Sequence, residues 1–264
     1  DFKYVRSENT TYAQELIFAL LHETGNNAAE IACHFGPSDH PEVPGRWQYY
    51  GVSLPFWRSY DKEDPRREFF YYDYTGDAKR DDQSDYGFHY MVPEEGVTVV
   101  PNDTTKYMQN VATMKYTYDM ISDAYYDGRT ICIFRLSDVI LCKAEIENNL
   151  NGPAAALPYL NQIRARAGAP EYGKHNRFPA PSTKETMNDA ILKERGYELV
   201  FEFQRRADLI RFGKYEEVVN AHLKKLGIAQ PTNVTSGLRY FPYPLNDAQL
   251  NPNLAAENPS RLPK

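Results

Sequence analysis

The sequence predicts a mainly α-helical domain over all 264 residues, with helix pairs between 131 and 225. Three observations predict it. Apolar residues in the second half recur at helical spacing, punctuated by Gly and Pro. Residues 36–60 and 73–105 are rich in Pro, Gly, Asp and Tyr, which makes residues 1–130 a loop-rich region with a few short strands. The segment 226–264 carries prolines at 242, 244, 252, 259 and 263, so it reads as an extended strap that cannot be a helix.

Taken in order, Thr11 to Glu23 (TYAQELIFALLHE) fits an amphipathic helix or a helix–strand mixture. Trp47 to Tyr74 concentrates the aromatic residues, and both tryptophans fall inside it. Asp73, Asp77, Asp81, Asp82 and Asp85 form an acidic stretch. From 131 onward the chain is expected to be helical. Ile133, Leu136, Val139, Ile140 and Ala144 share one face until Asn151-Gly152-Pro153 stops the segment. Pro153 opens a second helix whose inner face is Leu157, Leu160, Ile163, Arg164 and Ala167, with Gly168 as its cap. The short connection makes these two an antiparallel hairpin. After a loop with Gly173, Pro179 and Pro181, Ser182 or Thr183 caps the next helix, with Glu185 in its first turn. One or two more helices fill 205–225, broken near Gly213.

The densest pattern runs from Lys193 to Lys214 (KERGYELVFEFQRRADLIRFGK). Glu194, Glu198 and Glu202 recur every four residues amid Leu199, Phe203, Leu209, Ile210 and Phe212, surrounded by Arg195, Arg205, Arg206, Asp208 and Arg211. On a helix that spacing brings Glu202 to Arg205 or Arg206, and Asp208 to Arg205 and Arg211. Partly buried charges must be paired. A mutually paired set reads as a structural clamp, not an active site, since arginine neighbours lower carboxylate pKa values and a general acid needs a raised one.

Bulk properties exclude several classes. Net charge is −6 with no long Lys/Arg run, which argues against nucleic acid as a partner. No apolar run reaches the ~20 residues needed to span a bilayer. Cys33, Cys132 and Cys142 make no disulfide framework, and the last two read as small core residues. The six histidines show no metal-ligand spacing, and no nucleophile or phosphate-loop motif occurs. No cofactor is expected. Calcium is the one cation the acidic stretch would suit, but its residues lack the D-x-D-x-D-G order, and a solvated loop is the plain alternative.

Several segments resemble the SusD/RagB-like family in the family's own order. Arg135 to Glu145 (RLSDVILCKAE) resembles its R-L-A-D-V-x-L-x-x-A-E, and Asn161 to Gly168 its L-N-x-I-R-x-R-A-G. Glu194 to Gly213 resembles its E-R-x-x-E-L-x-F-E-G-x-R-x-x-D-L-x-R-x-G. Asp64-Pro65-Arg66, Phe241-Pro242-Tyr243-Pro244, Asn251-Pro252-Asn253-Leu254 and Asn258-Pro259 match further segments. Two departures stand out: Phe203 where the family has glycine, and Glu257 where it has glutamine.

The resemblance implies the family's C-terminal part, with tetratricopeptide-like helix pairs and a lipid-anchored first half lying upstream. It implies a non-catalytic protein on the cell outer membrane that captures oligosaccharide for a TonB-dependent, SusC-like transporter and touches the membrane only through that anchor. Capture of peptide or another nutrient, or a pure scaffold for the transporter, are the alternatives. Sugars need flat aromatic platforms with polar groups at the rim. Trp47, Tyr49, Tyr50, Trp57, Arg58 and Tyr60, interspersed with Arg46, Gln48 and Asp61, have that composition and are the expected glycan site. The plain alternative is that these rings fill the core under long loops.

Overall fold

The computed structural model describes residues 15–22, 31–37, 40–41, 47–76, 89–96, 105–116, 130–225 and 234–257. The chain divides into two units, Asp1–Glu202 and Phe203–Lys264.

The first unit opens with short elements: β1 (Leu16–Leu20), α1 (Ile31–Phe35), β2 (Val52–Ser53), α2 (Leu54–Arg58), β3 (Phe70–Tyr71), β4 (Asp73–Thr75), β5 (His89–Met91), β6 (Thr105–Tyr107), β7 (Asn110–Thr113) and β8 (Ile131–Arg135). They form three small sheets in the orders β1-β8, β2-β7-β3 and β4-β5-β6, where β5 and β6 run parallel. In β7, Val111, Ala112 and Thr113 are all buried, as a central strand covered on both faces requires. Val111 packs with Val52, Leu54, Trp57, Tyr60, Phe70 and Tyr197 in one apolar core.

Three long helices follow: α3 (Leu136–Asn151), α4 (Pro153–Ala167) and α5 (Lys184–Glu198). Leu141, Ala144 and Asn148 of α3 and Ala156, Leu160 and Ile163 of α4 are buried at spacings of three and four residues. Gly152 at φ 89° lets the chain reverse, and Pro153 occupies the first turn, where its missing N–H costs nothing. Gly168 adopts the left-handed conformation that ends α4. Thr183 caps α5 and Thr186 completes the capping box by bonding back. Asn148 Nδ2 donates to Lys184 O and Asn188 Oδ1, both at 2.8 Å, tying α3 to α5.

Two sequence expectations need correction here. Residues 131–135 form strand β8, with Leu20↔Ile131 and Phe18↔Phe134 facing each other across β1. Ile133 therefore sits in a strand, and helix α3 starts only where Leu136 N donates to Glu15 O at 2.8 Å. For the same reason the described part of Thr11–Glu23 is a strand at Leu16–Leu20, not a helix. Its exposed Ile17, Phe18 and Leu20, with Phe134, Leu136 and Val139, put large apolar side chains on the surface.

The second unit holds α6 (Arg205–Arg211), α7 (Tyr215–Lys225), a 3-10 turn at Ser236–Arg239, α8 (Leu245–Leu250) and α9 (Pro252–Glu257). Gly213 at φ 68° separates α6 from α7. Arg206 Nη2 donates to Leu238 O at 2.9 Å and its guanidinium lies 4.3 Å from the Phe241 ring centre. Glu216 accepts from Arg239 at 2.6 and 2.9 Å, so the described tail lies against α6 and α7. The tail is not wholly extended as expected. Pro244 sits at the cap before α8 and Pro252 is the first residue of α9, and both positions tolerate proline.

Candidate functional site

Of the residues expected to hold a ligand, Trp47, Tyr49 and Tyr50 form one aromatic group at the surface, with Trp47 half-buried and both tyrosines exposed. The segment is pinned to α1: Trp47 N donates to Cys33 O at 2.8 Å and Tyr50 N to His34 O at 3.1 Å. The Trp47 and Tyr49 ring centres lie 5.4 Å apart, and His34 lies 5.1 Å from Trp47 and 5.5 Å from Tyr49. Tyr49 and Tyr50 are 65% and 59% exposed. Between Trp47 and Tyr49, Gln48 takes φ 48°, a left-handed conformation that costs a non-glycine residue free energy. Its Nε2 donates to Asn110 Oδ1 at 3.3 Å, and a Cβ on Gly51 would meet that same oxygen at 2.5 Å. Glycine at 51 thus leaves room for the group that holds Gln48. His34 and Asn110 carry no sequence signal for this role, since nothing in their own neighbourhood marks them.

Trp57 and Tyr60 are corrected to core residues. The i, i+3 spacing in α2 turns Leu54 and Trp57 inward together, and Trp57 is only 6% exposed. Its Nε1 donates to Arg67 O at 3.2 Å and the Arg67 guanidinium covers its ring at 4.1 Å. Tyr60, 2% exposed, stacks on Tyr197 at 4.2 Å and donates from its hydroxyl to Tyr197 O at 3.1 Å. Burial pushes its pKa well above the ordinary phenol value. Tyr60 is enclosed, and Trp57 reaches only the wall of a cleft, with Arg67 and Tyr72 against its ring. Arg58 donates to Pro93 O and lines a cleft of about 480 Å³ with Lys62, Tyr72 and Glu94. Arg46 lies outside the described residues.

The clamp motif is brought together, by different partners from those expected. α5 ends at Glu198, and Phe201 and Phe203 turn the chain with φ 61° and 64°, so Glu202 does not continue the helix toward Arg205 or Arg206. It accepts from Arg135 Nε at 2.8 Å and from Lys115. Glu198 accepts from Arg66 Nη1 at 3.0 Å and from Arg166, and lies 2.7 Å from Arg135 Nη1. Glu194 accepts from Arg164 Nη1 at 2.7 Å. Its other oxygen lies 2.8 Å from Arg66 Nη1, a charge contact without hydrogen-bond alignment. Asp64 accepts from Arg66 at 2.8 Å, and Arg195 contacts Asp138 at 2.7 Å. Burial raises the Glu198 pKa, but Arg135, Arg166, Arg66 and Lys115 together outweigh it and hold the carboxyl well below the usual range. In the second unit, Arg211 Nε donates to Asp208 Oδ1 at 3.0 Å, while Arg205 opens α6. Arg66 is legible in the Asp64-Pro65-Arg66 segment. Lys115 and Glu15 carry no motif.

Of the acidic stretch, Asp73 contacts His89 Nε2 at 2.5 Å, while Asp77, Asp81, Asp82 and Asp85 lie outside the described residues. No group of three or more candidate metal ligands occurs among the described residues.

The model of the SusD family matches residues 36–260. The chain belongs to the SusD family. It is 39% identical over 122 residues to SusD-like protein P25 of Formosa agariphila, covering 46% of this chain and 22% of that protein. Over 137 residues it is 28% identical to the starch-binding protein SusD of Bacteroides thetaiotaomicron, covering 51% and 22%. Surface glycan-binding protein A of Bacteroides thetaiotaomicron, solved in complex with laminarihexaose, superposes with a TM-score of 0.65 at 20% identity, covering 100% of this chain and 54% of that one. The chain thus spans about a fifth of the curated SusD-like relatives it matches and about half of that solved structure. Its mainly α, tetratricopeptide-like fold is that of the SusD superfamily. No helix among the described residues is long and apolar enough to cross a membrane.

Proposed function

We propose that this chain is part of a non-catalytic, surface-exposed outer-membrane protein that binds oligosaccharide and passes it to a TonB-dependent, SusC-like transporter. The observation that carries the binding reading is the surface group of half-buried Trp47 and exposed Tyr49 and Tyr50 beside His34. Sugar rings present C–H faces that settle on such platforms, and pinning 47–50 to α1 holds the rings ready before a ligand arrives. Laminarihexaose on surface glycan-binding protein A and the starch-binding name of SusD support the ligand class. The buried carboxylates support a role without catalysis. Glu198, held ionised by four cations, is a poor proton donor, and Glu194 and Glu202 are enclosed by arginine and lysine with no room for a substrate.

The test is calorimetric titration with laminarihexaose and a starch-derived malto-oligosaccharide. At least one binds, and combined Trp47→Ala and Tyr49→Ala abolishes the heat while the thermal midpoint stays put. Unchanged binding in the double variant removes the platform from the site, and hydrolysis products in the cell would overturn the non-enzyme reading.

A further inference from the structure

A separate cleft of about 560 Å³ opens between the first turns of α5 and the loop joining it to α4. That size is typical of small-ligand pockets. Its walls are fixed without a ligand. Both arms of the Asn161 amide hold the Tyr172 backbone, each at 2.9 Å. Gly173, at φ 78°, donates to Phe178 O at 2.7 Å, and a Cβ there would press on Ala180 at 3.3 Å. The Arg164 guanidinium lies 4.9 and 4.8 Å from the Tyr172 and Phe178 ring centres, and it is itself held by Glu194 and Pro170 O. Pro179, Ala180 and Pro181 complete an apolar wall.

Three polar side chains of the lining have no hydrogen bond among the described residues: the hydroxyls of Tyr172 and Ser182 and the Lys193 ammonium. Lys193 lies at the exposed edge of the cleft, with its Nζ 5.7 Å from the Tyr197 ring centre. Burial and then the Arg164 charge lower the Lys193 pKa, and Glu194 and Asp61 offset this only in part. The neighbouring cation is different. Arg177 is already paired with Asp61 at 3.0 Å and Glu63 at 2.7 Å. Asp189, one turn before Lys193 on α5, also lines the cleft and disfavours a polyanion.

We propose that this cleft is a second carbohydrate subsite that takes a single acidic sugar unit, a hexuronate. Its carboxylate accepts from Lys193 Nζ and the Tyr172 hydroxyl, and its C–H face lies on the rings of Tyr172 and Phe178. Charge-assisted hydrogen bonds of this kind are about twice as strong as neutral ones. A peptide is the poorer fit, because the Gly173–Phe178 backbone is already bonded to itself and offers no ladder for an added strand. The inference shares with the platform reading only the premise of glycan capture.

The experiment is titration of the isotopically labelled chain by nuclear magnetic resonance, with sodium glucuronate, glucose and sodium acetate as separate probes. Glucuronate is expected to give saturable shifts centred on residues 172–193, and to bind roughly tenfold tighter than glucose, the worth of one charge-assisted hydrogen bond. Acetate binds weaker than glucuronate, because it lacks the ring face. Lys193→Gln and Tyr172→Phe each weaken glucuronate binding severalfold without moving the thermal midpoint, and Trp47→Ala leaves it unchanged. Equal binding of glucose, absence of saturable shifts, an unchanged Lys193→Gln affinity, or loss in Trp47→Ala instead would each overturn the proposal. Failure of the platform test leaves these outcomes untouched.

Discussion

Phe201 and Phe203 adopt nearly the same left-handed backbone, with φ 61° and 64°, yet their surroundings differ. Such a conformation costs an L-residue ~1–2 kcal/mol. At Phe201 packing offsets the cost: its ring lies 4.7 Å from Phe35, and its carbonyl accepts from Tyr116 at 2.8 Å. Phe203 is 64% exposed, so its ring gains less from burial. Phe203→Gly should therefore stabilise the chain by about 1 kcal/mol and Phe201→Gly should destabilise it, read as opposite shifts of the urea midpoint. The backbone explains why the glycine of the SusD-like motif suits position 203. The two tryptophans show the limit of reading at this scale. Trp47 and Trp57 stand in equally aromatic, equally polar sequence, and only the inward turn of α2 separates a core ring from a surface one.

At the scale of elements, the buried charges join the end of α5 to β8, α4 and the turn after Pro65. Arg135 is fully buried and serves Glu15, Glu198 and Glu202 at once. Arg135→Met leaves those carboxylates short of a cation, so a loss of about 3–5 kcal/mol is expected in urea unfolding. Glu198 also sets a pH dependence. Its folded pKa lies below the unfolded value of about 4.3, so its contribution is present above that value and is lost as pH falls through and below it. Glu198→Gln should flatten this acid limb of the stability profile. An unchanged limb assigns the acid sensitivity to other groups. The helices α3, α4 and α5 were legible from their punctuation at Gly152, Pro153, Gly168 and Thr183, although the buried face of α3 runs through Leu141, Ala144 and Asn148 and leaves Leu136 and Val139 exposed. Strand β8 was not, because Ile131–Arg135 is a short apolar run that satisfies helix and strand patterns alike and is decided by its partner β1. The pairings of Glu198 and Glu202 were equally hidden, since Arg66, although it stands in a recognisable segment, and Lys115 come from far along the chain.

On the scale of the whole molecule, the chain covers about half of the solved SusD-superfamily structures it resembles, and it exposes apolar side chains on β1, β8 and α3. Phe18 and Phe134 face each other across the β1–β8 pair at 55% and 47% exposure. Exposed apolar surface of this kind is where an apolar dye adsorbs. The chain alone should bind an apolar fluorescent dye, and Phe18→Ser with Phe134→Ser should reduce that signal while the thermal midpoint holds. An unchanged signal would place the dye elsewhere.

The central claim is that Trp47, not Trp57, meets the ligand, and the chain has only these 2 tryptophans. Replacing Trp57 with Phe leaves Trp47 as the sole indole reporter. Emission of that variant, titrated with the oligosaccharide panel, should shift saturably and in parallel with the calorimetric heat, whereas the reciprocal Trp47→Phe chain should show neither. Heat that saturates while Trp47 emission stays constant, or full binding by the Trp47→Phe chain, would contradict the account.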